Sequence, residues 1–158
     1  MSTPAIKALG GIAHEVHSYS HDPRAESYGD EAVEALGDAL GVRAEQIFKT
    51  LVIELSSGAL AVAVLPVPAR LSLKAAAAAL GAPKASMADK TKAERTTGYV
   101  LGGVSPLGQR KKLPTVVDAS ALDWDRVLCS AGKRGLEIEL APADLVRACA
   151  AVTASITS

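Results

Sequence analysis

Two apolar runs separated by three turn residues lie near the centre of this chain of 158 residues. Residues 47–55 and 59–66 are rich in aliphatic side chains, and Ser56, Ser57 and Gly58 stand between them. Runs of this length on either side of a short Ser/Gly segment predict two antiparallel strands joined in a hairpin. The hairpin is the first constraint on the fold, because the remaining elements must pack against a sheet built on it.

The patterns on either side of the hairpin predict helices and further short strands. Hairpins and helices are mixed rather than strictly alternating, which predicts an α+β domain with a mixed, curled, barrel-like sheet flanked by helices. No linker or repeat divides the chain, so we expect a single domain over residues 1–158, with residues 153–158 frayed. The predicted helices cover 4–9, 30–40 with Asp30 as its cap, 72–80, 89–95 and 143–150; the further strands cover 15–19, 99–101, 115–118, 126–130 and 136–140.

The composition excludes several classes of function. The 17 basic and 17 acidic residues cancel, and aromatic residues make up only 3% of the chain, too few for a platform that stacks single-stranded nucleic acid. Cys129 and Cys149 have no metal-binding spacing and are expected to be reduced and buried. The longest apolar runs, at 59–67 and 75–80, are too short to cross a bilayer, and no charged leader opens the chain. We therefore expect a cytoplasmic protein.

A glycine-rich segment at residues 98–108 is the first candidate site. Its glycines leave backbone N–H and C=O groups open to a ligand, and Pro106 restrains the loop that carries them. Residues 110–112, an arginine and two lysines, would place positive charge beside an anionic ligand. Such a loop can equally serve only to turn the chain. A nucleotide-hydrolysing P-loop is excluded, because Gln109 and Arg110 stand where lysine and serine or threonine are needed.

A single lysine, Lys49, interrupts residues 47–53, which are otherwise suited to a buried strand. On an edge strand this side chain would simply extend into solvent. At the start of a strand it can instead face a cleft, pair with a substrate phosphate or polarise a carbonyl group. The residues alone leave both interpretations open.

A second segment of small and basic residues follows the strand predicted at 126–130. Residues 130–135 read Ser-Ala-Gly-Lys-Arg-Gly, which suits a tight hairpin turn as well as a ligand-binding loop. Together with the glycine-rich segment and Lys49, this segment would complete one shallow basic pocket.

Four separate motifs of this chain occur together in one known family. They are residues 48–50 (Phe-Lys-Thr), 102–108 (Gly-Gly-Val-Ser-Pro-Leu-Gly), 113–115 (Leu-Pro-Thr) with Asp118, and 130–135. With these motifs the chain resembles the YbaK/ProX aminoacyl-tRNA deacylases, which are related to the editing domain inserted in bacterial prolyl-tRNA synthetase. The resemblance covers nearly the whole chain.

Within that family the chain looks most like the YbaK branch, which hydrolyses cysteine mischarged on proline tRNA. Residues 87–89 (Met-Ala-Asp) and 108–112 (Gly-Gln-Arg-Lys-Lys) fit this branch. The resemblance implies an ester hydrolase that acts on the acceptor end of tRNA(Pro), has prolyl-tRNA synthetase as a possible partner, and uses no metal, cofactor or covalent protein nucleophile. In this branch the substrate's own thiol is proposed to attack its ester carbonyl, which gives a cyclic thiolactone and frees the tRNA.

The resemblance also implies roles for individual residues. Lys49 matches the family's essential lysine, which is thought to engage the terminal adenosine phosphate and hold the ester. Gly102 matches the loop glycine whose backbone contacts the reacting aminoacyl end. Tyr28 stands where the branch often has phenylalanine, and Glu137 where it often has aspartate. The implied substrate-binding positions are Tyr19, Tyr28, Thr50, Gly103, Ser105, Ser130, Gly132 and Glu137.

Two other functions are consistent with the same residues. Other members of the family remove alanine or another small residue with a bound water molecule. A noncatalytic module that binds the tRNA end beside prolyl-tRNA synthetase would keep the fold without turnover. The formal net charge of zero argues against tight independent tRNA binding, since such affinity depends largely on phosphate contacts.

Overall fold

Eight strands and five helices form the described part of the chain, which confirms the predicted α+β class. The structure is a computed structural model that describes residues 2–20 and 28–158. No helix in these two stretches is long and apolar enough to span a membrane. The helices are α1 (Pro4–Leu9), α2 (Tyr28–Leu40), α3 (Leu73–Ala79), α4 (Lys90–Thr97) and α5 (Pro142–Cys149); the strands are β1 (His14–Ser18), β2 (Phe48–Leu55), β3 (Leu60–Pro66), β4 (Ala85–Met87), β5 (Thr115–Asp118), β6 (Val127–Lys133), β7 (Leu136–Leu140) and β8 (Val152–Ala154).

The predicted central hairpin is confirmed as β2 and β3, which pair antiparallel from Phe48 opposite Pro66 to Glu54 opposite Leu60. Gly58 closes the turn with a φ of 90°, a conformation that glycine adopts without strain. The hairpin lies within a five-stranded sheet of order β4-β2-β3-β5-β8. This sheet is mixed as predicted, because β5 runs parallel to both β3 and β8.

Strand β3 is buried at all seven of its residues, because both faces of the sheet are covered. One face contributes Val62 and Val64 to a core shared with the second sheet, α1 and α5. The other face contributes Ala63 and Leu65 to a core under α3. Burial of this kind fixes the register of a strand, since a shift by one residue would exchange the side chains of the two faces.

The second sheet has three antiparallel strands in the order β1-β7-β6. A parallel bridge between Ile47 and Leu128 links it to the segment that leads into β2. The two sheets share one core and do not close into a barrel, so only the barrel-like detail of the predicted fold differs from the structure. Helix α2 covers this junction, with Ala32 and Leu36 packed in a cluster with Ile47 and Leu128.

The sequence pattern predicts a strand at residues 99–101, and this prediction is wrong. Residues 99 and 100 have no regular structure, and residues 101 and 102 form a turn. Gly103 donates its N–H to the carbonyl of Val100 at 2.8 Å, and Gly102 between them has a φ of 92°. Tyr99, just before the turn, is buried and donates its hydroxyl to the Leu107 carbonyl at 2.5 Å. The apolar residues here satisfy a strand pattern, but a local backbone bond and a buried tyrosine determine the conformation.

Three further features of the fold differ from the predictions. Helix α2 begins at Tyr28, so Asp30 lies inside its first turn and is not its cap. Strand β4 was not predicted, and it pairs with the end of β2. The carboxyl-terminal residues are ordered: β8 pairs with β5, and Ile156 is fully buried.

A buried carboxylate holds the carboxyl-terminal segment in place. Asp118, at the end of β5, accepts the Ile156 N–H at 2.9 Å through one oxygen. Its second oxygen accepts the backbone N–H and the hydroxyl of Ser120 at 3.3 and 2.5 Å. The residue is 4% exposed, so water cannot easily replace it as the acceptor for these donors.

We expect Asp118→Ala to lower the free energy of unfolding by about 2–4 kcal/mol, because it leaves the buried N–H of Ile156 without an acceptor. Asp118→Asn keeps one acceptor oxygen and should lose less. Urea unfolding followed by circular dichroism measures both variants. Equal stability of the alanine variant and the wild type would contradict the proposed anchoring of the carboxyl-terminal segment.

Candidate functional site

A cavity of about 260 Å³ opens at the junction of the two sheets, below α2 and beside the turn at 100–103. Six of the ten residues predicted for the site lie around it. They come from separate parts of the chain and meet because the Ile47 bridge brings the start of β2 next to β6 and β7. The lining residues are Tyr19, Ala32, Ile47, Phe48, Lys49, Thr50, Leu51, Val67, Leu101, Gly102, Val104, Ser130 and Glu137.

Lys49 is partly buried, and its ammonium group is held by backbone carbonyls. Its Nζ donates to the carbonyl of Val67 at 3.1 Å and to that of Ala69 at 2.7 Å. Burial lowers the pKa of Lys49, while the nearby Asp30 carboxylate opposes this change. An ammonium group has three donors, so these two carbonyls fix its position and use only part of its hydrogen-bonding capacity. The side chain therefore borders a cleft, and the simple solvent-exposed interpretation is wrong.

Glu137, on β7, places a buried carboxyl group in the cavity wall. It lies opposite His17 of β1 and Ser130 of β6 in the sheet register, and it is 5% exposed. Burial raises the pKa of Glu137 to about 8, because the ionised form loses solvation. The carboxyl group is therefore mostly protonated at pH 7.

Tyr19 and Thr50 add two hydroxyl groups to the same wall. Burial, followed by the Glu137 charge, raises the pKa of Tyr19 to about 12, so the phenol stays protonated and can donate a hydrogen bond. The Thr50 hydroxyl oxygen is buried and has no hydrogen-bond partner among the described residues. A buried hydroxyl group without a protein partner is available to a ligand or to a water molecule.

The predicted glycine and serine positions fall into two groups. Gly102 lines the cavity through its backbone, and Ser130 lines it while its hydroxyl oxygen accepts the Gly132 N–H at 3.1 Å. Gly103, Gly132 and Ser105 lie outside the lining. Both glycines are closely packed: a Cβ on Gly103 would lie 3.0 Å from the backbone nitrogen of Arg134, and a Cβ on Gly132 would lie 2.7 Å from the Tyr99 ring.

Ser105 is fully buried and stabilises the loop that follows the turn. Its hydroxyl oxygen accepts the Leu107 N–H at 3.2 Å, and its carbonyl accepts the Gln109 side chain at 3.1 Å. The side chain of Tyr28 lies outside the part of the structure that is described.

The basic residues at 110–112 do not line this cavity. Lys112 borders a separate depression with Cys149, and Arg110 donates to the Arg95 carbonyl at 3.3 Å. In the other basic segment, Arg134 lies 3.5 Å from Glu31 of α2. Among the described basic side chains, Lys49 is the one that lines the cavity.

Sequence patterns did not identify the apolar part of the cavity. Ile47, Val67, Leu101 and Val104 line it together with Ala32. Ile47, Val67 and Ala32 lie in segments that are typical of an ordinary core, and Leu101 and Val104 lie in the glycine-rich segment, where the sequence pattern pointed to the glycines. Of these residues only Leu101 stands out, because its side chain remains 48% exposed at the cavity mouth. Only the structure distinguishes Leu101, because the sequence of residues 99–101 does not show which of these apolar side chains is exposed.

Comparison with known proteins places this cavity in context. Residues 30–148 match the model of the aminoacyl-tRNA editing domain. A curated protein of Enterococcus faecalis named as a candidate Cys-tRNA(Pro)/Cys-tRNA(Cys) deacylase, EbsC, is 41% identical over 111 residues, 70% of this chain and 68% of that protein.

Two solved structures share the whole architecture. The first, described as a candidate trans-editing enzyme for prolyl tRNA synthetase, has a TM-score of 0.82 at 25% identity and covers 98% of this chain and 92% of its own. The second, hypothetical protein APE2540, has a TM-score of 0.79 at 27% identity and covers 97% of this chain and 96% of its own.

The raised pKa of Glu137 predicts a stability that falls as pH rises. Between pH 4.5 and about 8 the unfolded chain has released this proton while the folded chain retains it. The free energy of unfolding should therefore decrease by at most about 1.4 kcal/mol per pH unit in this range, and the contribution should level off above it. Glu137→Gln removes this titration.

Urea unfolding of the wild type and of Glu137→Gln at pH 5, 6, 7, 8 and 9 isolates the contribution of Glu137 to stability. All other titratable groups are the same in the two proteins, so their contributions cancel in the difference. We expect the variant to gain stability relative to the wild type as pH rises to about 8. A stability difference that stays constant with pH would contradict a protonated Glu137.

Proposed function

Because the chain belongs to the aminoacyl-tRNA editing family and is a hydrolytic aminoacyl-tRNA deacylase, we propose that it removes cysteine mischarged on tRNA(Pro). The name of the Enterococcus faecalis relative supports cysteine as the amino acid, and the prolyl tRNA synthetase trans-editing neighbour supports the tRNA. The observation that carries the proposal is the content of the cavity. Among the residues that the structure describes, its lining combines one lysine and a buried carboxyl group in a small volume, and contains neither histidine nor cysteine.

Among the described lining residues, no histidine accompanies the Ser130 and Thr50 hydroxyl groups, so the serine–histidine arrangement of an activated protein nucleophile is not found there. Cys129 and Cys149 are buried elsewhere, and burial raises the pKa of Cys149 to about 12. A substrate that supplies its own thiol needs only positioning and a polarised carbonyl group from the protein.

The reaction that we propose is intramolecular. The cysteine sulfur of the substrate attacks its own ester carbonyl, so that a C–S bond forms and the ester C–O bond breaks. The thiol proton is transferred to the departing ribose oxygen, which frees the tRNA hydroxyl group. The thiolactone then leaves the cavity and is hydrolysed by water to cysteine.

Lys49 is the residue that we assign to the charged part of the substrate. Its ammonium group is fixed by two carbonyls at the edge of the cavity, and partial burial strengthens its attraction to the terminal phosphate or to the ester oxygen. The backbone at Gly102 approaches the same space, since no side chain intervenes. We assign Glu137, in the cavity wall, to a hydrogen bond with the α-amino group, whose positive charge would favour ionisation of the carboxyl group.

One observation favours a second candidate, the removal of alanine by water. The Thr50 hydroxyl is buried without a partner among the described residues, and it could hold an attacking water molecule. Alanine has no thiol, so this reaction requires such a water. The two mechanisms are separated by the choice of substrate.

The remaining parts of the proposal concern partners and location. With a formal net charge of zero the chain is suited to brief contact with tRNA or to recruitment by prolyl-tRNA synthetase. Because charged tRNA is used in the cytoplasm, we propose that the protein acts there. No metal or cofactor takes part in the proposed reaction.

We expect Lys49→Ala to lower hydrolysis of Cys-tRNA(Pro) at least about a hundredfold, because a fixed positive charge is lost from the site of reaction. The fold should survive, since the ammonium group contacts carbonyls at the surface of the cavity. Lys74→Ala is the matched control, as Lys74 is an exposed lysine on α3. Release of labelled amino acid measures the rates, and thermal unfolding checks the fold.

The same assay with Cys-, Ser-, Ala- and Pro-tRNA(Pro) identifies the mechanism. Serine replaces only the thiol by a hydroxyl, so hydrolysis of cysteine without serine or alanine supports attack by the thiol. Faster release of alanine than of cysteine would favour the water mechanism. Undiminished hydrolysis by Lys49→Ala would overturn the assignment of the site.

A further inference from the structure

The turn at residues 100–103 carries Leu101, the most exposed of the described residues that line the cavity. Most of the other lining residues belong to strands β2, β6 and β7 and helix α2, whose backbones are held by regular hydrogen bonding, or lie next to a strand, as Tyr19, Ile47 and Val67 do. Val100 is 73% exposed and Leu101 48%, so the turn has little packing of its own. The turn nevertheless carries Gly102, whose backbone faces the cavity.

The residues that flank the turn are fixed in the core. Tyr99 is buried before it, and Val104 and Ser105 are buried after it. Gly103 rests against the backbone of Lys133, where a Cβ would lie 3.1 Å from the Lys133 Cα. The two ends of the turn are therefore rigid, and the Gly103 N–H closes the turn on the Val100 carbonyl at 2.8 Å. The Leu101 N–H takes no part in this bond, so a group outside the turn can hold it in addition.

One side chain outside the turn supplies such a contact. The Leu101 N–H donates to Oε2 of Glu94 at 2.7 Å, which is the length of a charge-assisted hydrogen bond. Glu94 lies on α4, and its own carbonyl accepts the Gly98 N–H that closes this helix at 2.9 Å. Glu94 therefore holds both the end of α4 and the middle of the turn.

Helix α4 is itself a firm base for this contact. The Asp89 carboxylate caps its first turn by accepting the Lys92 N–H at 3.0 Å. At the other end Thr97 is buried, donates its hydroxyl to the Ala93 carbonyl, and accepts the Arg110 N–H through its own carbonyl at 2.8 Å. A carboxylate carried on such a helix can set the orientation of a loop peptide to which it is bonded.

We propose that Glu94 is a positioning residue, which acts through the Leu101 N–H to hold the Gly102 backbone at the reacting ester. This inference rests on the proposed deacylase site, in which Gly102 borders the substrate. Glu94 itself does not line the cavity, so its effect passes through the turn. A loss of this hydrogen bond should misplace the Gly102 peptide and slow the chemical step more than it weakens substrate binding.

The test compares Glu94→Ala, Glu94→Gln and the charge-matched control Asp125→Ala, which removes an exposed carboxylate from another part of the chain. We expect Glu94→Ala to lower kcat for Cys-tRNA(Pro) by roughly tenfold to a hundredfold, with a much smaller change in KM. Glu94→Gln keeps an oxygen that can accept the Leu101 N–H and should retain most of the activity. Asp125→Ala should behave as the wild type, and thermal unfolding should differ little among the variants.

Two results would overturn the role of Glu94. One is a Glu94→Ala variant with wild-type kcat. The other is an equal loss in the alanine and glutamine variants, which would assign the effect to charge rather than to the hydrogen bond.

A readout without substrate separates this inference from the proposed function. Hydrogen exchange of the Leu101 amide, followed by NMR, should accelerate in Glu94→Ala and stay slow in Glu94→Gln. If the wild type does not hydrolyse any aminoacyl-tRNA, the proposed function is wrong. The exchange rate of the Leu101 amide still tests the anchoring of the turn in that case, and an unchanged rate in Glu94→Ala would reject it. If the wild type is active and only the exchange and kcat predictions fail, the Glu94 inference alone is wrong.

Discussion

The pairing of β2 with the fully buried strand β3 is the constraint on which the rest of the structure depends. Because β3 packs on both faces, its register with β2 cannot shift without exchanging two cores. The register places Lys49 opposite Leu65, one residue into β2, just where the chain leaves β3. The carbonyls that follow β3, those of Val67 and Ala69, are thereby brought within hydrogen-bond distance of the ammonium group. The position of the one cavity lysine is thus a consequence of how the hairpin is buried.

The electrostatics of the cavity follow from the same partial burial. Burial lowers the pKa of Lys49 and raises that of Glu137 to about 8, so both changes favour the neutral forms. The nearby Asp30 carboxylate opposes the change at Lys49, because it stabilises the charged ammonium group. Among the described lining residues, the Lys49 ammonium group therefore shares the cavity with a carboxyl group that is mostly uncharged at pH 7. A substrate with an anionic phosphate and an α-amino group complements both.

Local signals made most elements predictable, and long-range contacts explain the failures. The hairpin turn at Gly58 and the helices predicted at 72–80 and 89–95 depend on residues within a few positions, and the structure has all three; Ser72 and Asp89 cap the two helices. The carboxyl-terminal strand β8 was missed because it depends on β5 and on the bond from Ile156 to Asp118, 38 positions away. The same difference holds for the site. Lys49, Gly102 and Glu137 could be matched to positions in the resembled family, whereas the apolar residues that line the cavity could not be distinguished from residues of the hydrophobic core.

The glycine-rich segments show why composition alone cannot identify a site. Gly102 and Gly103 are adjacent, yet the first opens its backbone to the cavity and the second fits against the Lys133 and Arg134 backbone. Gly132 has no side chain, and this leaves room for the Tyr99 ring, since a Cβ at this position would lie 2.7 Å from the ring. A glycine needed for close packing and a glycine needed for ligand access are chemically the same residue. The two kinds act together here, because the packing of Gly103 and Gly132 brings the β6–β7 bulge and the turn close enough to form one cavity around Gly102.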